Sequence, residues 1–177
     1  MTLPTRLATT DDAARIVTLV NSAYRGDSSR AGWTTEADLL GGQRTDVQAI
    51  TDFIGRRGES GDRAMLLHEA DGRLLACVQL ERRGDDAYLG MLTIDPQRQA
   101  AGLGRSLLEA AERFVAREWS TSRMTMSVIE QRAELITWYE RRGYRRTGAT
   151  AAFPYGDPRF GEPKRPDLRF VILAKAL

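Results

Sequence analysis

The chain predicts a mixed α/β fold of the α+β kind, a sheet covered by helices, and two observations carry this. Between Ala64 and Ile94, three short apolar runs are separated by the turn formers Asp71-Gly72 and Arg83-Gly84-Asp85-Asp86, the pattern of antiparallel hairpins. From Ala87 to Ala149, strand and helix patterns alternate, and such a β-α-β-α-β unit needs crossover connections. The predicted order is β-α-α-β-β-β-α-β-α-β-β, about seven strands and about four helices.

Leu3 to Leu7 alternates weakly and reads as an edge strand, in keeping with Pro4. Thr10-Asp11-Asp12 is a helix start, with Ala13, Ile16, Val17, Leu19 and Val20 following on a helical period. Residues 25–35 are polar and contain glycine, so they read as a loop. Thr45 to Arg56 puts Val47, Ile50, Phe53 and Ile54 on one helical face. The hairpin strands follow at Ala64–Glu69, Leu74–Glu81 and Ala87–Ile94. Gly102 to Glu118 is a helix with Leu103, Leu107, Leu108, Ala111 and Val115 on its apolar face. Arg123 to Ile129 alternates as a strand, and Glu134 to Arg142 is a short helix that stops at Gly143. Tyr144–Ala149 and Leu168–Leu173 read as strands, joined by a Pro- and Gly-rich loop from Phe153 to Pro166.

A chain of 177 residues is sized for one domain, expected over residues 1–177, with enough length to bury a core. One cysteine and one histidine preclude an internal disulfide and the common zinc sites, so no metal is expected. Cys77 lies in a strand pattern and reads as a small core residue, and such sparing cysteine use points to a cytoplasmic, reducing setting. Lys and Arg number 26 against 24 Asp and Glu, a balance that does not suggest nucleic-acid binding. No apolar run is long enough to span a bilayer, so no membrane partner is expected.

The segment richest in chemistry is Leu92-Thr93-Ile94-Asp95-Pro96-Gln97-Arg98-Gln99-Ala100-Ala101-Gly102-Leu103-Gly104-Arg105-Ser106. A strand ends, and a glycine-containing loop opens a helix. Glycines let a ligand approach the backbone, while free first-turn N–H groups and the helix dipole favour a phosphate. The plainer alternative is a helix that needs only a tight entrance. A dinucleotide fingerprint is disfavoured because Leu107 fills the third glycine position and the loop follows the hairpin strands and does not lie in the first β-α-β unit.

Gln99-x-x-Gly102-x-Gly104 resembles the [Gln/Arg]-x-x-Gly-x-[Gly/Ala] signature of the GNAT N-acetyltransferase superfamily. Trp138-Tyr139-Glu140-Arg141-Arg142-Gly143-Tyr144 is similar to that superfamily's Tyr-x-x-x-Gly-[Phe/Tyr] segment, in the right order with a strand between. The resemblance covers most of residues 3–175 and implies a GNAT-like, mostly antiparallel sheet. It also implies acetyl-CoA as acetyl donor, held between strands Ala87–Ile94 and Arg123–Ile129. The backbone of Leu92, Thr93 and Ile94 would pair with the pantetheine amides, and the Leu92 N–H would serve as oxyanion donor. The pyrophosphate would rest on Gln99, Ala100, Ala101, Gly102, Leu103, Gly104, Arg105 and Ser106. Tyr139 would be the general acid for the departing thiolate.

Two positions depart from the pattern. Some members use a strand glutamate as base where this chain has Tyr88, which leaves Glu81, Glu36 or water as candidates. Many carry an asparagine seven residues before the tyrosine where this chain has Arg132, a residue able to reach a phosphate. The cluster Arg141, Arg142, Arg145 and Arg146 is either a site for the CoA 3′-phosphate or a solvated face. Tyr24, Trp33, Glu36 and Phe153, with Tyr155, are candidates for the acceptor pocket. The expected partners are acetyl-CoA and a primary amine of a small molecule or protein, with the chain a monomer or homodimer. A non-catalytic CoA-binding module with the same fold is the alternative.

Overall fold

The computed structural model describes residues 4–177, apart from the side chains of residues 57–60 and 100–101. The first strand, β1, is Arg6–Leu7; Leu3, expected to begin it, lies outside the described residues. Asp12 organises the next turn. Its carboxylate accepts the Thr9 N–H at 2.9 Å and two Arg6 guanidinium nitrogens at 2.7 Å each. The hydrogen-bonded Arg6 holds that carboxyl at about 2. A 3-10 turn over Thr10–Asp12 then runs into α1, Ala13–Tyr24, which buries Ile16, Leu19 and Val20 on one face.

The loop after α1 holds a 3-10 turn at Asp27–Ala31 and a two-residue strand, β2, Leu40–Gly41. Helix α2 is Val47–Ser60, set slightly later than the predicted Thr45–Arg56. The hairpin strands are β3, Arg63–Ala70, β4, Arg73–Arg83, and β5, Asp86–Ile94. Asp71 and Gly72 both take positive φ, 52° and 72°, as a tight hairpin turn requires. A 3-10 turn at Pro96–Ala101 leads to α3, Leu103–Glu118, and then β6, Arg123–Ile129, as predicted. Helix α4 is Ala133–Glu140, followed by β7, Arg145–Ala152, β8, Glu162–Pro163, and β9, Arg169–Ala176.

Seven strands form one sheet in the order β1-β3-β4-β5-β6-β9-β7. Every neighbouring pair is antiparallel except β5 and β6. Strands β3 and β4 are apolar on both faces because helices cover both. Leu66 and Val78 join Leu107, Leu108 and Val115 of α3 in one core. Met65, Leu67 and Cys77 join Ile16, Val20 and Ile50 of α1 and α2 in the other. Burial pushes the Cys77 thiol up to about 12, so it is an inert core residue. Among the described residues no helix is long and apolar enough to cross a membrane.

Two irregularities in the sheet matter for function. The parallel pairing of β5 with β6 runs only from Asp86↔Arg123 to Tyr88↔Thr125, and beyond it the strands part. The β4–β5 register also slips between Cys77 and Gln79. The extra residue falls at Met91-Leu92, where Met91 has φ 46° and the Thr93 hydroxyl donates to the Met91 carbonyl at 2.9 Å. This is a β-bulge, a device that re-aims a strand.

The Phe153–Pro166 segment was expected to be a plain loop. It instead carries a 3-10 turn at Pro158–Phe160 and β8, which pairs with β2 through Leu40↔Pro163 and Gly41↔Glu162. This small ribbon lies over a third cluster of Leu39, Leu40, Ile129, Phe153 and Leu168. Gly161, at φ 86°, is required there, since a Cβ would sit 2.6 Å from the Gly41 carbonyl oxygen. Gly161→Ala should destabilise by about 1–3 kcal/mol, from the left-handed φ and the backbone clash. A thermal melt reads this as a fall of roughly 2–12 °C for a chain of this length.

Candidate active site

Where β5 and β6 separate, two cavities open and meet. The first, about 260 Å³, lies beside the start of α3. The second, about 210 Å³, lies under the β2–β8 ribbon. Tyr24, Leu92, Arg132, Leu135 and Tyr139 line both and form the boundary between them. The Met91 bulge brings Leu92 to this place, and the Tyr24 hydroxyl donates to the Leu92 carbonyl at 3.1 Å.

The first cavity is a helix-entrance site. Asp95 accepts the Gln97 N–H at 3.0 Å and starts the 3-10 turn, which ends at Gly102 with φ 76°. The Ser106 N–H is taken by the Gly102 carbonyl at 3.1 Å, and the turn before it has N–H groups with no acceptor further back in α3. Gly102, Gly104 and Arg105 line the cavity, with Thr93 and Ile94 opposite. Leu103 and Ser106 do not line it; Leu103 packs onto the core beneath α3. The side chains of Ala100 and Ala101 lie outside the described residues. The Gln99 amide oxygen accepts the Trp33 N–H at 2.8 Å, so this side chain ties down the long loop. Arg142 is the member of the C-terminal arginine cluster that reaches this cavity. It stacks 3.5 Å over the Trp138 ring and donates to the Trp138 carbonyl at 2.7 Å. Arg146 is turned to Glu140 at 3.5 Å.

Tyr139 stands at the boundary, 4% exposed, and its hydroxyl has no hydrogen-bond partner among the described residues. Burial raises its pKa, so the phenol stays protonated. Tyr144, the other motif tyrosine, is fully buried and donates to Glu112 at 3.0 Å. It anchors α3 to the sheet and lines neither cavity.

The second cavity is built around buried charge. Glu36 pairs with Arg25 and, at 2.9 Å, with Arg132, which also donates to the Thr34 hydroxyl at 2.9 Å. These three ionic side chains are 5–7% exposed. Burial by itself would raise the Glu36 pKa, but Arg132, Arg25 and Arg44 together bring it below the ordinary value. Glu36 is therefore a clamped carboxylate and a poor proton acceptor. Arg132, a residue able to reach a phosphate, lines both cavities and donates to Glu36 and Thr34. Glu81, the other candidate base, lines neither cavity and pairs with Arg83 at 3.3 Å. The candidates for the acceptor pocket divide between the two cavities, with Tyr24 lining both and Glu36 lining the second. Trp33 sits on the first cavity near Trp138, with ring centroids 6.3 Å apart, while Phe153 lines the second. Tyr155 packs behind Phe153 and is 45% exposed. Arg25 and Arg44 were not singled out by the sequence, because they lie in a polar stretch without a motif.

This geometry has the features of a known enzyme class. Residues 41–153 match a family model described as an acetyltransferase (GNAT) domain, and the chain belongs to that family of acetyl-CoA-dependent acetyltransferases. No curated protein sequence matches it. Among solved structures, a ribosomal-protein-alanine N-acetyltransferase from Brucella melitensis is similar, with a TM-score of 0.72, 18% identity and coverage of 99% of this chain and 100% of that one. The PaiA N-acetyltransferase of Thermoplasma acidophilum, in complex with coenzyme A, has a TM-score of 0.69 at 16% identity over 100% of both chains. A putative acetyltransferase, yncA, from Salmonella typhimurium, with its cofactor acetyl-CoA, has a TM-score of 0.71 at 20% identity, covering 100% of this chain and 95% of that one.

Glu36→Gln leaves two buried guanidiniums facing a neutral amide. We expect a loss of about 3–5 kcal/mol, the usual penalty for breaking a buried pair. The sign of its pH dependence follows from the lowered pKa. The wild-type contribution is fully present above the unfolded glutamate value, about 4.3, and is lost as pH falls through the lower folded value. Melts from pH 7 down to pH 3 should show the two proteins converging only at the acid end.

Proposed function

We propose that the chain is an N-acetyltransferase that moves an acetyl group from acetyl-CoA to a primary amine by direct attack in a ternary complex. The observation that carries this is the meeting of two cavities at Leu92 and Tyr139, one fit for a phosphate-bearing donor and one for an acceptor. The helix entrance at Gly102–Arg105 suits a pyrophosphate, and the edge of β5 freed from β6 suits the amides of a pantetheine arm. When bound there, acetyl-CoA supplies the thioester carbon that the amine attacks.

The protein's own groups divide the remaining work. The Leu92 N–H, re-aimed by the bulge, is the donor we assign to the developing oxyanion. Tyr139 gives its hydroxyl proton, through a hydrogen bond, to the sulfur as the C–S bond breaks. The proton lost by the attacking nitrogen balances the one gained by sulfur. Among the described residues neither cavity is lined by a carboxylate free to take a proton, since Glu36 is clamped and Glu81 is elsewhere. The only histidine, His68, lines neither cavity and is held against the Pro4 carbonyl at 2.9 Å. The amine therefore reacts in its neutral form, with water taking the proton.

The lack of a free base also favours the alternative reading, a CoA-binding module without turnover, and the two are separable. A ligand at 100 times its dissociation constant adds about 2.7 kcal/mol. Acetyl-CoA should thus raise the melting temperature by roughly 5–11 °C, with NADH as the inert control. Retained binding with no turnover on any amine would favour the module. Tyr139→Phe should keep acetyl-CoA binding and lower kcat by about 10²–10⁴; unchanged kcat would remove Tyr139 from the chemistry. The kcat/KM should rise with pH along the acceptor amine's own titration, with no step from a protein carboxylate or histidine. A plateau reached near pH 6 would reveal a base in the protein.

A further inference from the structure

We propose that the acceptor is a small amine that also carries an anionic group, in the manner of an amino acid, and that Arg44 receives that group. This rests on the acetyltransferase reading and names its substrate class. The second cavity is lined by three guanidiniums, Arg25, Arg44 and Arg132, against the single carboxylate of Glu36. That is an excess of two positive charges in a partly dry space, where a charge interacts far more strongly than in water. Arg25 and Arg132 are more than nine-tenths buried, and each keeps a buried Nε with no acceptor among the described residues.

Arg44 differs from these two. It is half-buried, and its guanidinium lies 5.6 Å from the Tyr24 ring centroid with no ion pair or side-chain hydrogen bond among the described residues. Its backbone is fixed, because the Asn21 side-chain oxygen accepts the Arg44 N–H at 2.8 Å and the Thr45 N–H at 3.2 Å. An unpaired guanidinium carried on a held backbone at a cavity wall is a bidentate receptor for a carboxylate or phosphonate. The same lining repels a polyamine, whose second ammonium would find only a carboxylate already shared by two arginines. Phe153, Phe160 and Phe170 give the rest of the cavity an apolar wall, and the β2–β8 ribbon lies above it. At about 210 Å³ under this cover, the space favours a small molecule over a polypeptide.

The test is a competition assay with the intact protein and acetyl-CoA, read by mass spectrometry of N-acetylated products. The acceptor mixture contains free L-amino acids and aminoalkylphosphonates, the matching amino-acid amides, spermidine, and short peptides with a free N-terminus. Products confined to the anionic small amines, with kcat/KM at least tenfold above the matching amides, support the proposal. Arg44→Gln should then raise KM for the anionic acceptor about tenfold or more. It should leave the acetyl-CoA Kd unchanged, and Arg44→Lys should recover part of the loss. Acetylation of amides or spermidine at equal or greater efficiency overturns it, as does acetylation of peptides alone. Acetyl-CoA binding with no product from any acceptor also overturns it, while leaving the donor site standing. Failure to bind acetyl-CoA would overturn the acetyltransferase reading itself.

Discussion

The arrangement depends on a sheet that is prevented from closing. Strands β3, β4 and β5 are fixed to one another by hairpins, and their register is set by apolar side chains on both faces. Strand β6 arrives by a crossover through α3, so it must run parallel to β5. Only three residue pairs form before the twist of each strand and the bulge at Met91 carry the two apart. The cost is a non-glycine residue in the left-handed region and a length of β5 whose edge toward β6 has no ladder partner. Such strain is found where surrounding structure over-determines it. Here the surroundings are the Thr93 hydroxyl on the Met91 carbonyl and the Tyr24 hydroxyl on the Leu92 carbonyl.

A second constraint is ionic. The loop after α1 and the loop before β9 are distant in sequence, and Leu39 and Leu40 of the first pack with Phe153 and Leu168 of the second. They are also joined by the β2–β8 ribbon and by Lys164 on the Ala37 carbonyl at 2.6 Å, while Glu36, between Arg25 and Arg132, ties the first loop to the start of α4. Replacing a buried ion pair by apolar groups is often neutral or stabilising, so the cluster is weak evidence for stability alone. Its position argues for a further role. It fixes α4, which carries Tyr139, against the loop that carries Trp33 and Thr34, and so sets the width of the boundary between the cavities.

Much of the fold was legible because its signals are local. β6 was placed residue for residue, since alternation over seven positions with a half-buried face has one reading. The glycine-containing entrance to α3 was legible for the same reason: its chemistry lies in consecutive backbone groups. What sequence reasoning missed is non-local or too short to have a period. Strands β2 and β8 are two residues each and exist only through each other. Glu36 was marked as a candidate and lines the second cavity, but its clamped state depends on Arg132, 96 positions away. Trp33 was grouped with Phe153 as an aromatic residue of a variable loop. The Gln99 side chain, by accepting the Trp33 N–H, draws it to the other cavity.

The absence of a free base and the excess of arginine are two sides of one electrostatic fact. A nearby positive charge disfavours a protonated amine and lowers its pKa. In a free amino acid the carboxylate does the opposite, holding the ammonium in its charged form. Once Arg44 receives that carboxylate, as proposed, this support is cancelled, and Arg25 and Arg132 further oppose an ammonium in the same cavity. On that proposal the lining would favour the neutral nucleophile, with water taking the proton. In the proposed mechanism Tyr139 completes the proton balance at the other end. Burial keeps its phenol protonated, so it can donate to the leaving sulfur but cannot compete as a base for the amine.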